Sequence, residues 1–242
     1  MLNFTKILNS LANRLVLVTI PRIALSIFIL FQIMGMIFYP GGTMHDDSTL
    51  TYSFSNNFFS DLGIYESYNG SPNYISMILF ALSLIIVGFT FSVYYLSLIQ
   101  FFRGDRFNYI LSIIGTIFAI GSAIGLIGTG LTPADVVLDA HVFFANNIFY
   151  CFTITAFCYT VVFYRSQILE TKYALGYAFF FISIAIYVGI LIYGPSPRVN
   201  ASALIFTVVS QKVIVLIFCW SIFYQTFGFA NYNFNRRVFN PK

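Results

Sequence analysis

The sequence predicts an all-α fold, a polytopic transmembrane bundle of six helices with a short interfacial helix ahead of it. Three observations predict this. Of 242 residues, 59% are hydrophobic and 8% charged, where soluble domains carry about 25% charged residues. A soluble fold so poor in charge has too few polar groups to cover its surface. Six stretches approach or exceed the about 20 apolar residues that cross a hydrocarbon core. They are 20–39, 74–100, 107–130, 141–164, 173–193 and 201–228. The basic residues gather on alternate connections between them.

In chain order, residues 1–19 place Leu2, Phe4, Ile7, Leu8, Leu11 and Leu15 around Lys6 and Arg14. That spacing predicts an amphipathic helix lying in the interface or, failing that, a frayed terminus. Pro21 opens the first span, where its missing N–H costs nothing. Residues 40–73 form the one long connection. Arg103-Gly-Asp-Arg106 is a tight polar turn between the second and third spans. The transmembrane domain covers 20–228, and 229–242 form a tail. No cleavable signal peptide is evident at the start.

Orientation follows from lysine and arginine. With six spans, both termini share a side with Lys6, Arg14, Arg22, Arg103, Arg106, Arg165, Lys172, Arg236, Arg237 and Lys242. Only Arg198 lies opposite, and Lys212 falls within the sixth span. The positive-inside rule therefore makes the termini cytoplasmic. The expected location is the cell (plasma) membrane, with membrane lipids as partners and a homo-oligomer compatible with the pattern. The net charge of +4 is spread over span ends, which excludes a phosphate-binding stripe and hence nucleic acid. Cys151, Cys158 and Cys219 fall inside hydrophobic runs and read as buried thiols.

Three constellations carry candidate chemistry, all toward the non-cytoplasmic side. In the long loop, the aromatic run Tyr52 to Phe59 is too apolar for free solution and is expected to fold onto the bundle. It leads into Ser60-Asp61-Leu62-Gly63. Asp61 is a candidate catalytic base, or the cap of an Asx-type turn in which Gly63 takes a positive φ. Between the third and fourth spans, Asp135 and Asp139 precede His141. Asp139 is expected to N-cap the fourth helix, and an aspartate to orient the imidazole. His141 is then a candidate base, or a hydrogen-bonded strap between helix ends. In the sixth span, Lys212 lies about 16 Å deep at 1.5 Å per residue. A lysine there marks a functional site by default, or a buried ion pair with Asp61, Asp135 or Asp139. Gln32, Asn146 and Asn147 are candidates to complete a polar interior. Ser60, Asp135, Asp139 and Lys212 are the candidate ligand-binding residues. The sequence specifies no metal and no cofactor. Bis-histidine haem ligation needs two intramembrane histidines, and His141 plus loop acids makes a weak zinc set.

Tyr39-Pro40-Gly41 after the first span, Ser60-Asp61-Leu62-Gly63 before the second, and Gly130-Leu-Thr-Pro133-Ala-Asp135 followed by His141 together resemble a prokaryotic family. It is called domain of unknown function nine hundred and ninety-eight. The resemblance covers about 20–228 and implies a six-helix membrane architecture without implying an activity. A fainter similarity reaches the eukaryotic damage-regulated autophagy modulators and proteins of glycolipid-anchor remodelling. Some of those carry an acidic residue in the sixth helix, where this chain has Lys212. The sequence leaves three functions open: binding or modifying a lipid head group at an outward-facing site, small-molecule or proton-coupled transport, and a non-catalytic scaffold.

Overall fold

The computed structural model describes residues 11–234. The expected interfacial helix lies largely before them and most of the C-terminal tail after them. Six helices are long and apolar enough to cross a membrane. They are α1 (Ile20–Phe38), α2 (Tyr74–Leu98), α3 (Arg106–Leu131), α4 (Leu138–Ser166), α5 (Thr171–Tyr193) and α6 (Ala201–Ala230). The chain is an all-α, multi-pass membrane protein.

The first span begins earlier than expected. A π-helical turn, Leu15–Thr19, runs directly into α1, and its Val16, Leu17 and Val18 are buried. Pro21 therefore sits near the junction of the two segments rather than at a free helix start. Helix α4 also begins earlier, at Leu138. Val137 is its N-cap, and Asp139 falls within the first turn instead of capping it. There its negative charge faces the positive end of the helix dipole. Asp105 does cap α3, accepting from Asn108 N at 2.7 Å.

Consecutive helices pack against one another, and α6 closes the bundle against both α5 and α1. The two ends differ. The end carrying the 40–73 connection, here the loop end, is capped by folded chain. The opposite end is closed by short turns. There the Arg22 guanidinium donates to Thr226 Oγ1 at 2.8 Å and lies 4.7 Å from the Phe227 ring centroid. Between the ends the core is aromatic. Tyr95 and Tyr177 share a hydrogen bond of 2.8 Å, and Thr116 and Tyr159 share one of 2.7 Å. These pairs satisfy hydroxyls that a dry interior would otherwise penalise.

The loop end folds down as the aromatic run predicts. Asn69 Nδ2 donates to Pro40 O at 2.8 Å, and Tyr39 and Tyr52 meet edge to face at 5.7 Å. Gly41 and Gly42 adopt φ of +125° and +81°, a region closed to most side chains. A Cβ on Gly42 would lie 2.3 Å from Asn69 N. This pair of glycines lets the chain leave α1 and turn back over the bundle.

Candidate functional site

The Ser60-Asp61-Leu62-Gly63 segment forms a 3-10 turn, Phe59–Gly63, seated on the start of α2. Asn73 Nδ2 donates to Leu62 O and Ile64 O at 3.1 and 2.9 Å, and Ser76 Oγ donates to Leu62 O at 3.0 Å. Gly63 does not take the positive φ expected of it; the positive-φ glycines are Gly41, Gly42 and Gly70. Its requirement is space, since a Cβ would lie 2.4 Å from Phe80 Cδ1.

Asp61 is buried in this turn. Its Oδ2 accepts from Phe58 N at 2.9 Å and from Asn57 Nδ2 at 3.1 Å. Oδ1 has one long contact, from the Tyr68 hydroxyl at 3.5 Å. It therefore keeps acceptor capacity that a carboxylate oxygen normally fills. Burial pushes the carboxyl up to about 6, opposed by the Asn57 and Phe58 hydrogen bonds, by the Lys212 charge and by Tyr68. Burial and the Asp61 charge raise the Tyr52 and Tyr68 phenols, so both remain neutral donors.

Lys212 is sealed behind this turn, 1% exposed. The expected ion pair does not form: among the described residues no carboxylate lies within ion-pair distance of it. Its ammonium donates instead to the Asn57 carbonyl. It also sits 5.3, 5.0 and 5.2 Å from the ring centroids of Tyr52, Phe54 and Phe59. Three aromatic faces thus take the place of a counter-ion. The aromatic run and the lysine explain each other, because the cage fastens the loop to α6. Next to it, Gln211 Oε1 accepts from Phe59 N at 3.0 Å.

The third-to-fourth-span element is a clamp. Asp135 accepts from Tyr65 N with both oxygens at 3.0 Å, and from Glu66 N at 2.9 Å. It ties the α3–α4 connection to the long loop and does not orient His141. His141 occupies the first turn of α4, and its Nδ1 lies 2.6 Å from Thr132 O. A carbonyl only accepts, so Nδ1 carries the proton and Nε2 keeps its lone pair in the neutral ring. Asp139 is exposed. Among the described residues no group of three His, Cys, Asp or Glu side chains is arranged to hold a metal ion.

Two cavities share lining residues here. The first, of about 510 Å³, is a vestibule with largely apolar walls, among them Phe58, Tyr187 and Pro197, that also carry the polar side chains of Asp61, Tyr68, His141, Asn146, Arg198 and Gln211. His45 Nε2, 2.8 Å from Pro197 O, joins the long loop to the α5–α6 connection beside it. The second, of about 90 Å³, is an apolar chamber among Phe28, Phe80, Leu84, Phe152, Phe180, Ile214 and Phe218. Ser60, Ala145, Phe149 and Gln211 line both. One polar atom on the chamber wall has no partner, the buried Gln32 Oε1; its Nε2 donates to Ser83 Oγ at 2.7 Å. Asn147 does not join the interior network, because its Nδ2 donates back to Phe143 O of its own helix, 2.8 Å away.

Of the residues singled out from sequence, Ser60, Asp61, His141 and Asn146 therefore share one cavity. Asp135 and Lys212 support its walls from behind, and Asp139 stands outside. Sequence reasoning missed Tyr68, Gln211 and Arg198 as wall residues and Asn57 as the hub beneath Asp61. Arg198 carried a signal, being the one basic residue on its side.

A bundle of six apolar helices with a folded cap, and two cavities that share lining residues, defines the class: a multi-pass membrane protein. Comparison with protein-family models, characterised proteins and solved structures finds no match for the chain.

Proposed function

We propose that the protein binds a membrane amphiphile with the polar head in the vestibule and the chain in the chamber, and that the loop end faces away from the cytoplasm. One observation carries the reading: the two cavities share walls at Ser60, Ala145, Phe149 and Gln211. Polar and apolar ligand segments then find matching surroundings within one site. Ligand sites are mostly apolar with a few placed polar groups, and this pair fits that description in sequence along one axis. The basic skew toward the opposite end supports the orientation. The six-helix resemblance and the plasma-membrane location belong to the same proposal.

The cavity also favours a second, catalytic reading. His141 lines the vestibule and its Nε2 is the ring's acceptor, so it is the group suited to take a proton from a bound hydroxyl. Lys212 lines neither cavity, which weighs against the proton relay of a transporter. Filling the passage with Ala145→Phe tests the binding reading. Mass spectrometry of the protein released from mild detergent should show lipid retained by the wild type and lost from the variant, at equal thermal stability. Equal lipid retention by a folded variant would overturn it.

A further inference from the structure

The wall chemistry narrows the ligand further, resting on the amphiphile reading above. Of the charged groups on the vestibule wall, Asp61 is buried and adjoins the shared residue Ser60 in sequence, while Arg198 is exposed and lines the vestibule but not the chamber. The inner groups lack donors rather than acceptors. Asp61 Oδ1 holds only the 3.5 Å contact from Tyr68, and His141 Nε2 is left as an acceptor by the Thr132 contact of Nδ1. Both atoms have acceptor capacity left for a further donor. At the rim the requirement reverses. The Arg198 guanidinium has no carboxylate within ion-pair distance among the described residues, and its planar donors suit a phosphate. The chamber adds a size limit. At about 90 Å³ it is smaller than the about 150 Å³ cavity that admits one benzene ring. It accepts the near part of one chain and not of two.

The geometry points to a single-chain lysophospholipid as the ligand, its free glycerol hydroxyl donating to Asp61 and its phosphate held by Arg198. The order of groups on such a lipid is chain, hydroxyl, phosphate, which matches an apolar chamber, a buried acceptor at Asp61 and an exposed Arg198. A diacyl lipid fails twice, because the hydroxyl is esterified and a second chain has no room.

Binding to the full-length protein in nonionic detergent tests this by calorimetry with four probes. They are octanoyl lysophosphatidic acid, its analogue lacking the free hydroxyl, dioctanoyl phosphatidic acid, and glycerol phosphate. The wild type should bind the first at least about tenfold more tightly than each of the others. Asp61→Asn should narrow the gap between the first two probes, and Arg198→Gln should weaken both without changing that gap. Equal affinity for the hydroxyl-free analogue overturns the inference, and this comparison needs only the wild type. Equal binding of the diacyl lipid, blocked by Ala145→Phe, overturns the single-chain assignment while the amphiphile reading stands. Glycerol phosphate binding as tightly as the lipid shows a water-soluble ligand and overturns both, as does binding of none of the four together with lipid retention unaltered by Ala145→Phe.

Discussion

Asp61 should give the protein a pH-dependent stability of unusual sign. Its carboxyl has a pKa of about 6 in the folded chain against an ordinary value of 3.8. The folded state then holds a proton that the unfolded state releases between those two values. Stability contributed this way is fully present below about 4 and is lost as pH rises through about 6. A difference of about 2 pH units at 1.36 kcal/mol each gives about 3 kcal/mol. The groups that interact with the carboxyl come from several elements: Asn57, Phe58, Tyr52 and Tyr68 from the long loop, Tyr39 after α1 and Lys212 on α6, while His141 on α4 and Arg198 line the same vestibule. Several of these also titrate, so the informative quantity is the difference from Asp61→Asn. Asparagine keeps an acceptor for Phe58 N but has no proton to exchange. Thermal unfolding of both proteins in detergent from pH 4 to pH 7.5 measures that difference. The wild type should lose stability relative to the variant by about 3 kcal/mol across the range, several degrees of midpoint at this chain length. A flat difference would show that the carboxyl is not raised and is solvated in the folded chain.

Other variants report on the supports of the site. Lys212→Met removes the charge that favours ionised Asp61, so the pH midpoint just described should move above about 6; an unmoved midpoint would separate the two residues electrostatically. Its effect on stability should be small, because the lost charge-assisted hydrogen bond of about 1.5–3 kcal/mol is offset by the ammonium desolvation that is no longer needed. Gly63→Ala drives a methyl against Phe80 and should cost about 1–3 kcal/mol by overpacking. Gly104→Ala, with nothing within 4 Å of the added carbon, should be neutral in the same thermal assay. Asp135→Asn leaves one acceptor where two oxygens now hold three contacts, so amide exchange at Tyr65 and Glu66 should quicken by roughly three- to tenfold, a loss of about 1 kcal/mol.

The six spans were legible because crossing a bilayer imposes one long apolar run per helix, and no packing detail alters that demand. Helix ends were less so. The turn Leu15–Thr19 continues α1 because tertiary burial of Val16, Leu17 and Val18 outweighs the start signal at Pro21. The site was half legible. Ser60, Asp61 and His141 stood out as polar residues in apolar surroundings, and they share one cavity. Lys212 stood out for the same reason and took a different role, since a lysine can be satisfied by ring faces and a carbonyl as well as by an acid. The cage of Tyr52, Phe54 and Phe59 lies about 150 residues from Lys212 in sequence, too far for any local spacing rule. The chamber was invisible, because a cavity is a property of how helices pack and not of any one of them.

The joined vestibule and chamber are the centre of the account. Determining the structure of the wild-type protein at high resolution in lipid nanodiscs tests it most directly. A single elongated density is expected between Ser60 and Gln211, with its polar end against Asp61, His141 and Arg198 and its apolar end among Phe80, Phe152 and Phe218. A vestibule filled only with water above an empty or collapsed chamber would contradict it.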